Sequence, residues 1–203
     1  MPPPLHAARP RRAPRFGPAA RRALIVGDVM GNGIDAGATM GRRHTATRAY
    51  ADLDLVPAQV RQHLDKITRG LEHSIATCLY AVNDPRCGEC PISNAGHRPP
   101  VLLRAGLHPE LLELPAGAPL GVGGVPFHAA AFWFGLGDRL VLYTDGLVET
   151  RHQPIDERLT ALLDVLDGPP KPLEETCQWL LDTLRDPDDV TVFVAEARST
   201  PQP

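Results

Sequence analysis

Apolar residues along the chain gather in short runs cut by glycine and proline, alternating with longer stretches of helical character. The first run, Ala23-Leu24-Ile25-Val26, has the length of a buried strand. Gly27-Asp28-Val29-Met30-Gly31-Asn32-Gly33 follows, too rich in glycine for either regular element. A helix is predicted from about Ile34 to Ala51. Pro57 opens a second helix, where its missing N–H costs nothing, and Val60, Leu64, Ile67 and Leu71 recur at the spacing of one buried face. Strand-like runs then cover Ile75–Val82, Pro91–Asn94 and Pro100–Arg104. A loop rich in Gly and Pro spans roughly 115–126, followed by strands at Ala129–Phe134 and, after a Gly137-Asp138 turn, Arg139–Thr144. Two more helices are predicted near 156–166 and 172–185, the second begun by Pro172, and Val190–Ala195 is a closing β-branched strand.

This order, with clustered strands flanked by helix pairs and no regular βαβ alternation, predicts an α+β fold with largely antiparallel sheets. At 203 residues, 43% hydrophobic and 22% charged, the chain suits one generous domain or at most two small ones. No run approaches the roughly 18 apolar residues of a membrane span, and no apolar stretch of a secretory signal opens the chain, so a cytoplasmic protein is expected. Residues 1–22 hold six Arg, six Pro and no acid, the composition of a disordered arm. The expected organisation is therefore an arm over 1–22, a domain over 23–197 and a tail over 198–203. Setting the arm's six Arg aside from the 21 Lys and Arg leaves 15 basic against 24 acidic residues, a formal −9. A body that acidic is a poor partner for nucleic acid, and a phosphate-bearing substrate would need a cation to mediate.

Cys78, Cys87, Cys90 and Cys177 are too few to staple a domain of this size, so reduced thiols are expected. Cys87-Gly88-Glu89-Cys90 has redox or zinc spacing, but it sits in a turn-rich stretch between two strands without a second such pair; a plain hairpin turn is the better reading.

Acidic residues mark the strand ends. Asp28 follows the first strand, Asp145 follows Arg139–Thr144, and Asp188-Asp189 precedes the last. Carboxylates at a sheet rim point into whatever cleft the rim borders, and glycines beside Asp28 and Asp145 let ligands approach. Converging carboxylates repel unless protonated or bridged, and hard oxygen ligands suit Mg²⁺ or Mn²⁺. The plainer alternative is that each Asp merely caps a turn or helix. Gly31-Asn32-Gly33-Ile34-Asp35-Ala36 also fits a dinucleotide-binding pattern, but Asp28 would then face a pyrophosphate and no parallel βα units follow.

Five motifs occur in order: Gly27–Gly33, Asn94-Ala95-Gly96-His97, Gly117-Ala118-Pro119-Leu120-Gly121, Tyr143-Thr144-Asp145-Gly146-Leu147-Val148-Glu149 and Asp188-Asp189-Val190-Thr191. Together they resemble the metal-dependent PPM-type serine/threonine protein phosphatases, in the bacterial branch typified by stage II sporulation protein E, over about residues 23–196. The resemblance implies an antiparallel β-sandwich flanked by helix pairs, a four-layer αββα fold, with a binuclear Mn²⁺ or Mg²⁺ site at one end. It implies that Asp28 bridges the metals with the Val29 carbonyl as a further ligand. Asp145 would hold the first metal, and Asp188, with Asp189 as second choice, would complete the set. Asp28 and Asp145 would then act through a metal-activated water that attacks phosphorus. Asn94–His97 matches a turn near the sheet rim with a structural part. Gly117–Val122 could be a switch near the site or a static loop.

The resemblance implies a phosphorylated regulatory protein as substrate, an anti-sigma-factor antagonist of a partner-switching pathway. Two departures stand out. The family opens with an earlier strand carrying a Gly-Asp-Trp/Phe-Tyr-Asp type motif whose acid helps hold the second metal, and nothing of that kind precedes Ala23. The His usual between the two loop glycines is Asn32. A truncated or degenerate phosphatase acting as a non-catalytic regulatory binding module is therefore the competing reading.

Overall fold

The computed structural model describes residues 21–198 apart from 31–33, 52, 54, 71–74, 86, 151 and 185–189, and gives no side-chain placement for 34–40, 42 and 43. The expected arm over 1–22 and the tail over 198–203 thus fall almost wholly outside the described residues, as do Asp188 and Asp189.

Among the described residues, eight strands and four α-helices follow in the order β1 (Arg22–Val29), α1 (Ile34–Ala51), α2 (Pro57–Arg69), β2 (Ala76–Asn83), β3 (Glu89–Ala95), β4 (Val101–Leu103), β5 (Glu110–Leu111), β6 (Ala129–Trp133), β7 (Arg139–Tyr143), α3 (Ile155–Leu166), α4 (Leu173–Leu184) and β8 (Val192–Glu196). The strands form two four-stranded sheets, β1-β2-β3-β6 and β5-β4-β7-β8, and every pairing is antiparallel. The order of elements therefore gives the α+β architecture that it predicts.

Three apolar layers hold the sandwich together. Val60 and Leu64 of α2 pack on Cys78, Tyr80 and Ala95 of the first sheet. Leu79, Ala81 and Ile92, on the other face of that sheet, meet Leu102, Leu140 and Leu142 of the second. Val101, Val141 and Val194 then turn outward onto Leu162 and Leu166 of α3 and Leu180 and Leu184 of α4. Successive strand residues point to opposite faces, so a sheet covered on both sides needs apolar residues at nearly every position. That is why Cys78–Val82 reads as a continuous apolar run rather than an alternating one.

Three expectations need correction. The first strand does not stop at Val26: the ladder with β2 continues through Gly27↔Cys78, Asp28↔Thr77 and Val29↔Ala76. Glycine here serves close strand approach, since a Cβ on Gly27 would lie 2.5 Å from the Thr77 carbonyl oxygen. Nor is this strand buried, because among the described residues it is the outer strand of its sheet; of its residues only Val26 is buried, and Ile25 is 38% exposed. The buried face of α2 is also rotated from the apolar stripe: Pro57, Val60, Arg61, Leu64, Asp65 and Thr68 are buried, while Ile67 is half-buried. Polar residues go inside there because they tie down neighbouring backbone. Arg61 Nη2 donates to the Ser93 carbonyl, and Asp65 accepts from the Gly121 N–H at 2.9 Å while pairing with Arg69 at 3.0 Å.

No disulfide joins the cysteines; Cys87 lies in the turn before β3 and Cys90 inside the core between the sheets. Burial pushes the Cys90 thiol up to about 12, which leaves it a packing residue without thiolate character. Among the described residues no helix is long and apolar enough to cross a membrane.

Candidate metal centre

The two sheets each bring one of the expected carboxylates to the same rim. Asp28 is the penultimate residue of β1, directly opposite Thr77 on β2. Its N–H donates to Thr77 Oγ1 at 3.3 Å, and its own Oδ1 accepts the Val29 N–H at 2.8 Å, which fixes the carboxylate against the backbone. Asp145 lies two residues beyond the end of β7 and opens a single 3₁₀ turn, Asp145–Leu147. That turn is locked because the Asp145 carbonyl accepts from the Val148 and Glu149 N–H groups at 2.9 and 2.7 Å.

The Asp145 carboxylate is half-buried, and its Oδ1 has no hydrogen-bond partner. The nearest cation, Arg98 Nε, stands 3.7 Å away and is itself engaged by Glu149, through Nε at 2.9 Å and through Nη2. The Asp145 pKa is raised, first by burial and then by the charge of Glu149; Arg98 opposes the rise, and the charge of Asp28 adds to it. Asp28 and Asp145 therefore feel one another across the gap between the sheets. A buried carboxylate oxygen without a donor, beside a second carboxylate, is an arrangement that a cation relieves.

Backbone around this rim is held at several points. The Thr144 N–H donates to the Thr191 carbonyl at 3.0 Å, and the Thr191 N–H returns to Thr144 Oγ1 at 2.8 Å. Thr191 also lines, with Gly27, Asp28, Val29, His44 and Thr77, a cavity of about 220 Å³. The Asn94–His97 turn is closed by one side chain: Asn94 Oδ1 accepts the His97 N–H at 2.9 Å and Asn94 Nδ2 donates to the His97 carbonyl at 2.8 Å. Gly96 has φ +65°, and a Cβ there would strike Pro119. The expected turn and the 117–121 loop are thus packed against each other. The loop is further pinned by Leu120, whose N–H and carbonyl both bond Ala76, and by the Gly121 N–H on Asp65.

Of the residues expected in the site, the structure brings Asp28, Val29 and Asp145 to one rim, whereas Asp188 and Asp189 lie outside the described residues. Among the described residues no three His, Cys, Asp or Glu side chains group as a metal site. The donors that are present, two carboxylates and adjacent main-chain carbonyls, are hard oxygens that fit Mg²⁺ or Mn²⁺. Sequence reasoning gave no role to Thr77, Arg98, Glu149 or Thr191. Arg98 and Glu149 carried a signal in standing within or next to a motif, whereas Thr77 is placed only by cross-strand register.

The family model described as stage II sporulation protein E matches residues 18–198. The solved RsbU and RsbW domains of a Mycobacterium tuberculosis protein superpose with a TM-score of 0.81 at 28% identity, over 89% of this chain and 54% of that one. The PP2C phosphatase domain of the cell fate determinant SpoIIE from Bacillus subtilis, with a fragment of its regulatory domain, gives 0.70 at 16% identity, over 86% and 54%. The catalytic domain of the serine threonine protein phosphatase PstP, solved with two manganese ions, gives 0.64 at 19% identity, over 88% of each chain. The chain spans about half the length of the first two structures. The last two, at their low identity, speak for the fold alone.

Proposed function

We propose, from the premise that this chain belongs to the stage II sporulation protein E family of PPM-type phosphatase domains, that it hydrolyses phosphoserine or phosphothreonine on a regulatory protein. The substrate class that fits best is a phosphorylated anti-sigma-factor antagonist, since the RsbU-type domain it is similar to is joined to an RsbW domain. Asp28, the Val29 carbonyl and Asp145 would hold Mn²⁺ or Mg²⁺, with Asp188, or Asp189 in its place, as the fourth contributor.

The observation that carries this reading is the buried, unpartnered Oδ1 of Asp145 beside a second carboxylate. When bound, a pair of divalent ions supplies charge neutralisation for the phosphoryl dianion and acidifies a water. The chain's own residues do the rest. Val29 N–H fixes the Asp28 carboxylate, and the 3₁₀ turn presents that of Asp145. Glu149 holds the Arg98 guanidinium at the rim, a planar donor of the kind that recognises phosphoryl oxygens. The P–O bond to the serine or threonine oxygen breaks as the bond to water oxygen forms, and the leaving oxygen takes up a proton.

One observation favours the competing binding module: Arg98 already places a positive charge 3.7 Å from Asp145 Oδ1. Hydrolysis of p-nitrophenyl phosphate across a Mn²⁺ titration decides between them. The phosphatase reading expects Mn²⁺-dependent turnover that Asp145→Asn lowers by at least about 100-fold, a loss of roughly 3 kcal/mol in transition-state stabilisation. No turnover at any Mn²⁺ concentration establishes the module instead.

A further inference from the structure

The two candidate ligand carboxylates stand on different sheets, and the layer between those sheets is apolar: Val26, Leu79, Ala81 and Ile92 against Leu102, Leu140 and Leu142. Apolar packing is non-directional. It holds two layers together without fixing where the end of one strand stands relative to the end of another. A metal site, by contrast, requires its oxygens within a few tenths of an ångström. Some directional link between β1 and β7 is therefore needed near the rim.

Such a link runs through His97. Its Nε2 is 2.9 Å from the Tyr143 carbonyl at the end of β7, and its Nδ1 is 2.9 Å from Thr77 Oγ1 on β2. A main-chain carbonyl only accepts, so Nε2 carries the hydrogen. Burial drives the His97 pKa down to about 4, despite the Tyr143 carbonyl, which raises it; Arg61 and Arg98 add to the fall. The ring is neutral at pH 7, Nδ1 is bare, and the Thr77 hydroxyl donates to it. The Thr77 oxygen in turn accepts the Asp28 N–H at 3.3 Å. The chain of bonds thus has one direction: Asp28 amide to Thr77 hydroxyl, to His97 ring, to Tyr143 carbonyl. Tyr143 is two residues before Asp145. His97 is seated by Asn94, whose side-chain amide grips both its N–H and its carbonyl.

We infer that Thr77 and His97 are positioning residues, a hydrogen-bonded strut between the sheets that sets the separation of the Asp28 and Asp145 carboxylates and so the affinity for divalent metal. This rests on the phosphatase reading and names what regulates its site.

Isothermal titration of the full chain with Mn²⁺ tests it, on wild type, Thr77→Val and Thr77→Ser. Valine keeps the shape of threonine and removes the hydroxyl; serine keeps the hydroxyl. The expected result is a 10- to 100-fold weaker Mn²⁺ affinity in Thr77→Val, the range typical of residues that orient metal ligands, with most of it restored in Thr77→Ser. Excess Mn²⁺ should recover kcat in Thr77→Val, which damage to the fold would not allow. Wild-type affinity in Thr77→Val, or equal losses in valine and serine, overturns the strut and leaves the phosphatase reading intact. A wild type that binds no Mn²⁺ overturns both. Should Thr77→Val fail to fold, ¹⁵N NMR of the His97 ring in metal-free wild type still decides: a neutral ring protonated on Nε2 supports the strut, and one protonated on Nδ1 overturns it.

Discussion

His97 shows how one side chain can be both a core residue and part of a site. It is 5% exposed and keeps both ring nitrogens satisfied, so removing it from water leaves nothing unpaired. Protonation would force the bare Nδ1 to carry a hydrogen facing the Thr77 hydroxyl. Because the folded pKa lies below the unfolded value near 6.5, the neutral ring contributes stability that is present above pH 6.5 and is lost as pH falls towards 4. Between pH 7 and pH 4 the loss attributable to His97 should reach about 3 kcal/mol. Urea unfolding of wild type and His97→Asn across this range checks it; carboxylates that titrate in both chains cancel, and the variant should show the flatter profile. Parallel profiles would mean that His97 does not titrate on unfolding. The sequence showed Asp28 and Asp145, because an acid after an apolar strand and beside glycine is a local pattern. It did not show Thr77, which becomes a partner of Asp28 only through the β1–β2 register, 49 residues away.

At the scale of elements, the Asn94–His97 turn and the 117–121 loop behave as one unit. Gly117 approaches the end of β3 so closely that a Cβ would stand 2.1 Å from the Asn94 carbonyl oxygen, a backbone atom with little freedom to move. Gly117→Ala should therefore destabilise the fold by at least about 2 kcal/mol, within the usual cost of overpacking or above it. It should also weaken Mn²⁺ binding, because displacing Asn94 unseats His97. Denaturant midpoints and Mn²⁺ titrations of Gly117→Ala measure the two effects; an alanine tolerated without either would separate the loop from the turn. The loop's glycine and proline content made it recognisable as irregular chain, but its role as a wedge is written in distant residues. Asp65 on α2 holds Gly121, and Ala76 at the start of β2 holds Leu120. The buried face of α2 departs from its apolar stripe for the same reason. Hydropathy places Ile67 inside and Asp65 outside, whereas the need of the Gly121 N–H for an acceptor turns Asp65 inward.

For the whole molecule, the layering follows from element order, since each helix pair can cover only the sheet formed by the strands beside it. Strand neighbours do not follow: after β3 the chain crosses through Gly96–Pro100 into the second sheet, then returns so that β6 pairs with β3. That crossing is what brings one carboxylate from each sheet to a shared rim, where they repel. Burial first, then the charge of Glu149 and to a smaller degree that of Asp28, raises the pKa of Asp145 against the opposing charge of Arg98. A carboxyl whose folded pKa exceeds its unfolded value supports the fold fully below the unfolded pKa and loses that support as pH rises through the folded one. At neutral pH the metal-free molecule thus carries a strained charge, and a divalent ion that binds the folded state alone should reverse the effect. At 100 times its Kd, Mn²⁺ adds about 2.7 kcal/mol, which for a domain of this size raises Tm by roughly 5–10 °C. Asp145→Asn should cancel that rise and, in EDTA at pH 7.5, melt no lower than wild type, because it removes the strained charge while keeping the shape. Thermal melts of both proteins with Mn²⁺ and with EDTA make the comparison. An Asp145→Asn protein that melts well below wild type in EDTA would mean that the carboxylate holds the fold rather than a metal.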